Sequence, residues 1–272
     1  MLTIKQTVKS LGMMSVLAAS ALSFTGLAQA DAFGGGIPAG WTCVGNCGTL
    51  GADGVVTASP EGGMYGYIVS NAAEYGLGLT GTDEANGSRL RSGVFSAGVG
   101  DKLEFYFNYV TTDGLDPHYV LFPDYAWVRL LDSSLSPVAM LFTARTTASG
   151  DTVPGFGLPD ISPGVTLDPA TKTIIGGGPA WTPLGGSSGV CYGTGCGYTD
   201  WIKMTYTFAS AGDYVLEFGV VNWEDPGFDS GLAFDGSLVR LPPGGPVPEP
   251  ATLALLGLGL AGLGFMRRKA RV

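Results

Sequence analysis

The chain has 272 residues, 45% of them hydrophobic and 14% charged, and its 14 Lys and Arg against 23 Asp and Glu give a formal net charge of −9. That balance repels nucleic acid and anionic lipid, and leaves cationic partners, divalent ions and neutral glycans as the compatible ligands. The length accommodates one domain with a full core plus terminal segments.

From the N-terminus, Lys5 and Lys9 precede an apolar stretch at 11–27 and an Ala28-Gln29-Ala30 cleavage site. This is the pattern of a signal peptide over 1–30, read by the Sec export machinery, so the exported part is expected to begin near Asp31. Over 31–246 eight basic residues face 22 acids, a formal charge of −14.

Four cysteines follow as two close pairs, Cys43 with Cys47 and Cys191 with Cys196. Outside the cytosol thiols are oxidised, so disulfides are expected and a zinc site is the alternative. Four cysteines allow three pairings, and spacing does not decide among them. Local pairing is the expectation, because a Gly/Asn/Thr turn separates the members of each pair.

Runs rich in β-branched and aromatic residues at 54–59 and 64–70 flank Pro60-Glu61-Gly62-Gly63 and predict a hairpin. Residues 77–80 predict a further short strand, and the polar 83–88 a loop with an Asn86-Gly87 turn. The clearest period of two is KLEFYFNYVTT at 102–112, where Leu103, Phe105, Phe107 and Tyr109 point to one face. Segments 125–132 and 137–146 predict a second hairpin. From 147 to 197 Gly, Pro, Ser and Thr dominate, an uncommonly long loop for a compact domain, with Cys191 and Cys196 bracing its end.

Alternation returns at 201–208 and 213–223, and 231–241 supplies a last strand. Eight to ten strands and no amphipathic helix make 31–241 an all-β domain, expected as an antiparallel β-sandwich of jelly-roll or lectin-like type. Residues 242–246 (PPGGP) form a stiff linker.

Residues 247–272 read VPEPATLALLGLGLAGLGFMRRKARV. Pro248, Glu249 and Pro250 precede an apolar run at 251–266, and Arg267, Arg268, Lys269 and Arg271 close the chain. Sixteen helical residues reach about 24 Å against a bilayer core of about 30 Å. A single short transmembrane helix is therefore expected at 251–266, with its cations on the cytoplasmic side.

This three-part order resembles the PEP-CTERM sorting signal of Gram-negative, exopolysaccharide-producing bacteria. The resemblance implies that Pro248, Glu249 and Pro250 are recognised by exosortase, a membrane-embedded cysteine transpeptidase. It also implies an inner-membrane-anchored precursor whose tail is removed on the way to the cell surface or extracellular matrix. The strand LEFYFNYVTTDG and the later GVVNWEDPGFDSGLAFDGSLV resemble β-sandwich ectodomains of such proteins, whose shape is similar to carbohydrate-binding sandwiches.

His118 is the sole histidine, and no G-x-S-x-G, H-E-x-x-H or phosphate-binding loop is present. The expectation is a protein that is not an enzyme, associating with exopolysaccharide in biofilm or floc. The alternatives are a secreted glycoside hydrolase built on two of the acids and a purely structural adhesion module. Hard cations need several oxygen ligands, and Asp113, Asp116 and Asp124 mark one acid-rich loop. Glu224, Asp225, Asp229 and Asp235 mark the second, which is the candidate calcium site; no other cofactor is expected. Sugars stack on flat aromatic faces, and Trp181, Trp201 and Trp223 are the candidate glycan contacts.

Overall fold

The computed structural model describes residues 32–72, 74–79, 84–115 and 123–240. The expected signal peptide, Asp116 and His118, the 242–246 linker, the Pro248-Glu249-Pro250 motif and the 251–266 span lie outside those residues.

Strands β1 (Thr42–Val44), β2 (Asn46–Leu50), β3 (Tyr65–Val69), β4 (Glu74–Tyr75), β5 (Glu84–Arg91), β6 (Phe95–Ala97), β7 (Lys102–Thr111), β8 (Tyr125–Asp132) and β9 (Pro137–Arg145) form the first half. The second half holds β10 (Asp151–Val153), β11 (Val165–Asp168), β12 (Lys172–Thr173), β13 (Ile175–Gly176), β14 (Gly197–Tyr198), β15 (Ile202–Thr207), β16 (Gly212–Trp223) and β17 (Ser230–Arg240). A short 3-10 segment, Thr182–Ser187, interrupts them.

The strands form two facing sheets. Sheet I runs β1-β5-β16-β8-β9, with β4 on β5 and β6 on β16; sheet II runs β11-β15-β7-β17-β3-β2, with β14 on β7 and β13 on β14. Every pairing within the two is antiparallel. The fold is the antiparallel β-sandwich that the alternation predicts.

The inward residues of β7 (Leu103, Phe105, Phe107, Tyr109), β15 (Ile202, Met204, Tyr206) and β16 (Tyr214, Leu216, Phe218, Val220) share one buried core. Phe218 stacks on Phe234 with ring centroids 4.2 Å apart, and Phe107 meets Phe142 at 4.8 Å. Each such ring contributes on the order of 1.5–3 kcal/mol by leaving water, and the pairs pin the two sheets in register. The predicted β8–β9 hairpin forms across a turn in which the Asp132 carboxylate accepts from the backbone N–H groups of Ser134 and Ser136.

The first third departs from expectation. Residues 54–59 do not pair with β3, whose partners are β2 and β17. Asp53 and Val56 instead exchange backbone hydrogen bonds in a tight turn, and Val56 packs on the outer face of sheet II. The polar segment expected as a loop at 83–88 is mostly inside a central strand, β5. Its polar side chains find partners within the fold: Ser88 Oγ donates to the Val69 carbonyl at 2.5 Å, and Asn86 Nδ2 to the Ala72 carbonyl at 2.7 Å. Gly87 packs against the Val220 carbonyl so closely that a β-carbon would overlap it. Leu77 and Leu79, expected in a strand, pack instead against Trp127 and Tyr125 on the outer face of sheet I.

The long Gly/Pro segment is ordered by small ladders, β10 on β12 and β13 on β14, and by folding back over sheet II. There Trp181 and Leu184 join Val56, Tyr65, Val69, Val110 and Ala233 in a second buried cluster. A sheet whose outer face is covered in this way buries residues on both faces, which strict alternation alone does not reveal.

Candidate functional site

At one end of the sandwich the core changes from aromatic to polar. Asp124 is buried there, its Oδ2 accepting from Ser230 Oγ at 2.7 Å and its Oδ1 from the Trp223 N–H at 2.9 Å. The Tyr109 hydroxyl donates to the Asp124 carbonyl at 3.1 Å and lies 3.0 Å from Thr146 Oγ1. Burial, and then the neighbouring Asp113, hold the Asp124 carboxyl well above the usual carboxylate range. Burial followed by Asp225 pushes Asp113 up to about 8. Raised carboxyl pKa values suit general acids, but both groups are closed off from solvent. The hydrogen bonds of Asp124 tie the start of β8 to β16 and β17.

The four acids expected as a calcium site do not converge. Asp229 precedes β17, where its carboxylate takes a hydrogen bond from Ser187 Oγ at 2.7 Å. Asp235 lies within β17, bonded to Ser59 Oγ and to the Gly236 N–H. At about 3.4 Å per extended residue the two stand roughly 20 Å apart. Glu224 is exposed, and Asp225 caps its own turn by accepting from the Gly227 N–H at 2.7 Å. Among the described residues no group of three or more His, Cys, Asp or Glu is placed to hold a metal ion.

Both local cysteine pairs are disulfides. Cys43–Cys47 links β1 to β2 around Gly45, and Cys191–Cys196 closes the turn that carries Tyr192. Of the three tryptophans, Trp181 is buried, with its indole N–H donating to the Tyr65 hydroxyl at 3.0 Å, and offers no face to a sugar. Trp201 is half-buried edge-on to Tyr65. Trp223 is half-buried beneath the Arg145 guanidinium, 4.8 Å from its ring.

The open aromatic surface is elsewhere. Tyr192 and Phe228, 38% and 36% exposed, stack with centroids 4.8 Å apart. Tyr192 is fixed by its N–H donating to the Thr112 carbonyl at 3.0 Å. Phe228 sits at φ 53°, a left-handed conformation that side chains other than Gly adopt at a cost. Alternation carried no trace of this pair, since neither residue belongs to a strand; the adjoining disulfide and Asp-rich turn were the available cues.

Residues 246–269 match the PEP-CTERM protein-sorting motif. No curated protein matches the chain. Among solved structures, the K1 cleaved adhesin domain of Lys-gingipain from Porphyromonas gingivalis W83 is similar at 14% identity, covering 76% of this chain and 94% of that one, with a TM-score of 0.34. The K3 cleaved adhesin domain of the same protein is similar at 14% identity, covering 77% and 95%, with a TM-score of 0.35. The sorting motif makes this chain an exported protein sorted by exosortase, produced as a membrane-anchored precursor.

Proposed function

We propose that this exosortase substrate is a non-catalytic surface or matrix protein whose β-sandwich associates with extracellular polysaccharide once the 247–272 tail has been removed. The observation that carries the reading is the sorting motif at 246–269 behind an ordered sandwich. The resemblance of that motif to the sorting signal of exopolysaccharide-producing bacteria makes secreted polymer the expected neighbour of the delivered chain. The Tyr192–Phe228 stack supports the reading as a partly exposed aromatic pair, one ring of which carries a hydroxyl.

The test follows the full chain, carrying an epitope tag ahead of residue 242, in a bacterium with an active exosortase. The tagged protein is expected to co-precipitate with the polymer fraction and to be released when that polymer is enzymatically degraded. A chain that stays in the polymer-free supernatant, with the matrix intact, overturns the association and leaves the export route standing.

A further inference from the structure

Although residues 31–246 are strongly acidic, three of their eight cations stand together on the outer face of sheet I. Arg91, Glu217 and Arg129 form one row across β5, β16 and β8, directly paired in register. Arg89 lies two residues along β5 on the same face. Glu217 is fully buried: Arg91 Nε donates to its Oε2 at 2.6 Å and Arg129 Nε to its Oε1 at 2.6 Å, while Arg89 Nε lies 3.9 Å away. A buried carboxylate requires a counter-charge, and one guanidinium neutralises it. Here one acid faces three, and among the described residues these guanidiniums make no other ion pair.

Two formal positive charges are therefore left over at the surface. The side chains of Arg89, Arg91 and Arg129 keep 26%, 26% and 24% of their area exposed. Because the Nε edges of Arg91 and Arg129 are turned to Glu217, their paired Nη donors are the ones left for an outside acceptor. Burial, and then the neighbouring Arg91, lower the Arg89 pKa. The cluster thus holds its third cation against repulsion, which an anion would relieve.

Spacing selects the kind of anion. Along β5 the Cα atoms of Arg89 and Arg91 are about 6.8 Å apart, and two strand spacings put Arg91 about 9.6 Å from Arg129. The forks spread over a plane and do not converge on one atom, so a ligand with repeated acceptors engages them best. Beside Arg129 a groove of about 320 Å³ opens over Pro137, Val138, Met140 and Pro159, with Asp160 as its one acid.

We propose that Arg89, Arg91 and Arg129 form a binding surface for an acidic polysaccharide, whose uronate carboxylates pair with the guanidinium forks while a sugar ring occupies the groove beside Arg129. Planar guanidinium matches carboxylate two bonds at a time, which Lys does not. The inference rests on the polysaccharide association proposed above, and it replaces the neutral ligand expected from net charge with an anionic one. The −14 charge of the whole domain opposes a polyanion at long range, so the attraction is confined to direct contact with the three guanidiniums.

The test is titration of the full chain in neutral detergent with oligogalacturonate, with maltooligosaccharide of the same length, and with inorganic phosphate as competitor. Arg89→Gln is the informative variant, because it leaves the two hydrogen-bonded partners of Glu217 in place; its melting temperature serves as the folding control. Oligogalacturonate is expected to bind, to weaken about tenfold in Arg89→Gln, and to weaken with added salt, while the neutral oligomer gives no comparable signal. Equal binding of the neutral oligomer, displacement by phosphate at equal concentration, or an unchanged Arg89→Gln affinity each overturns the arginine surface while leaving polysaccharide association intact. If neither oligomer binds, the surface is overturned, and retention of the chain in the native polymer fraction then decides whether the broader reading survives.

Discussion

The indole of Trp127 packs against Gly219, its direct partner on β16, so closely that a β-carbon on the glycine would overlap the six-membered ring. Trp127 is fully buried there with Tyr125 and Val221, under Leu77, Leu79, Met140, Leu158 and Trp223. Gly219→Ala should therefore displace the ring and cost about 1–3 kcal/mol, as overpacking in cores does. For a domain of this size each kcal/mol lowers the melting temperature by about 2–4 °C. A calorimetric scan that finds no drop would show that the indole has room to slide.

That contact also marks where sequence reading stops. The inward faces of β7, β15 and β16 were legible because Leu103, Phe105, Phe107, Ile202, Met204 and Phe218 alternate with polar neighbours. The turn at 133–136 was legible from its Ser-rich composition. Strand β5 was not, because Asn86, Gly87 and Ser88 look like a turn until Val69, Ala72 and Val220 are placed around them. Trp181 stands in a Gly/Pro-rich stretch that names no packing partner, and the fold-back over sheet II supplies one. The arginine row was equally hidden: Arg89, Arg91, Arg129 and Glu217 are scattered along 129 residues and meet only through strand register.

Stability should fall as pH rises above about 4. In the folded chain Asp113 keeps its proton up to about 8, whereas an unfolded Asp releases it near 3.9. Between those values the folded state binds more protons than the unfolded one, so the slope of unfolding free energy against pH is negative, at most about 1.4 kcal/mol per pH unit for one group. Asp124, also raised, acts in the same direction. Denaturant midpoints at pH 5 and pH 8 should show the decline, and Asp113→Asn should flatten it. A midpoint that rises across this window would contradict the burial argument.

Replacing Cys43 and Cys47 together by Ser should cost about 2 kcal/mol, the chain-entropy value for a five-residue loop. The bond joins β1 to β2, and without it β1 is held chiefly by its short ladder to β5. Exchange of the β1 amides should accelerate in the double variant, while the β7 amides at the sandwich centre keep their protection. Uniform acceleration across both strands would mean that the bond supports the whole domain and not its edge.

Glu249→Ala changes the sorting motif without touching the apolar run at 251–266. The membrane-anchored precursor should accumulate at full mass, and the processed form should decline. Normal amounts of a shortened product, measured by immunoblot and intact mass, would show that Glu249 is dispensable to exosortase.

Phe228 offers a way to separate fold from binding. Its left-handed backbone costs about 1–2 kcal/mol relative to Gly, and its stack on Tyr192 returns about 0.5–1.5 kcal/mol. Phe228→Gly relieves the first and loses the second, so stability should stay within about 1 kcal/mol of the parent. Retention on extracellular polysaccharide should nevertheless weaken about tenfold, equivalent to about 1.4 kcal/mol. Stacking is indifferent to charge, so this loss should persist at high salt, where the contribution of Arg89 is already screened. A variant that melts as the parent does and binds as the parent does would remove the Tyr192–Phe228 surface from the glycan contact and leave the sheet I arginines to carry it.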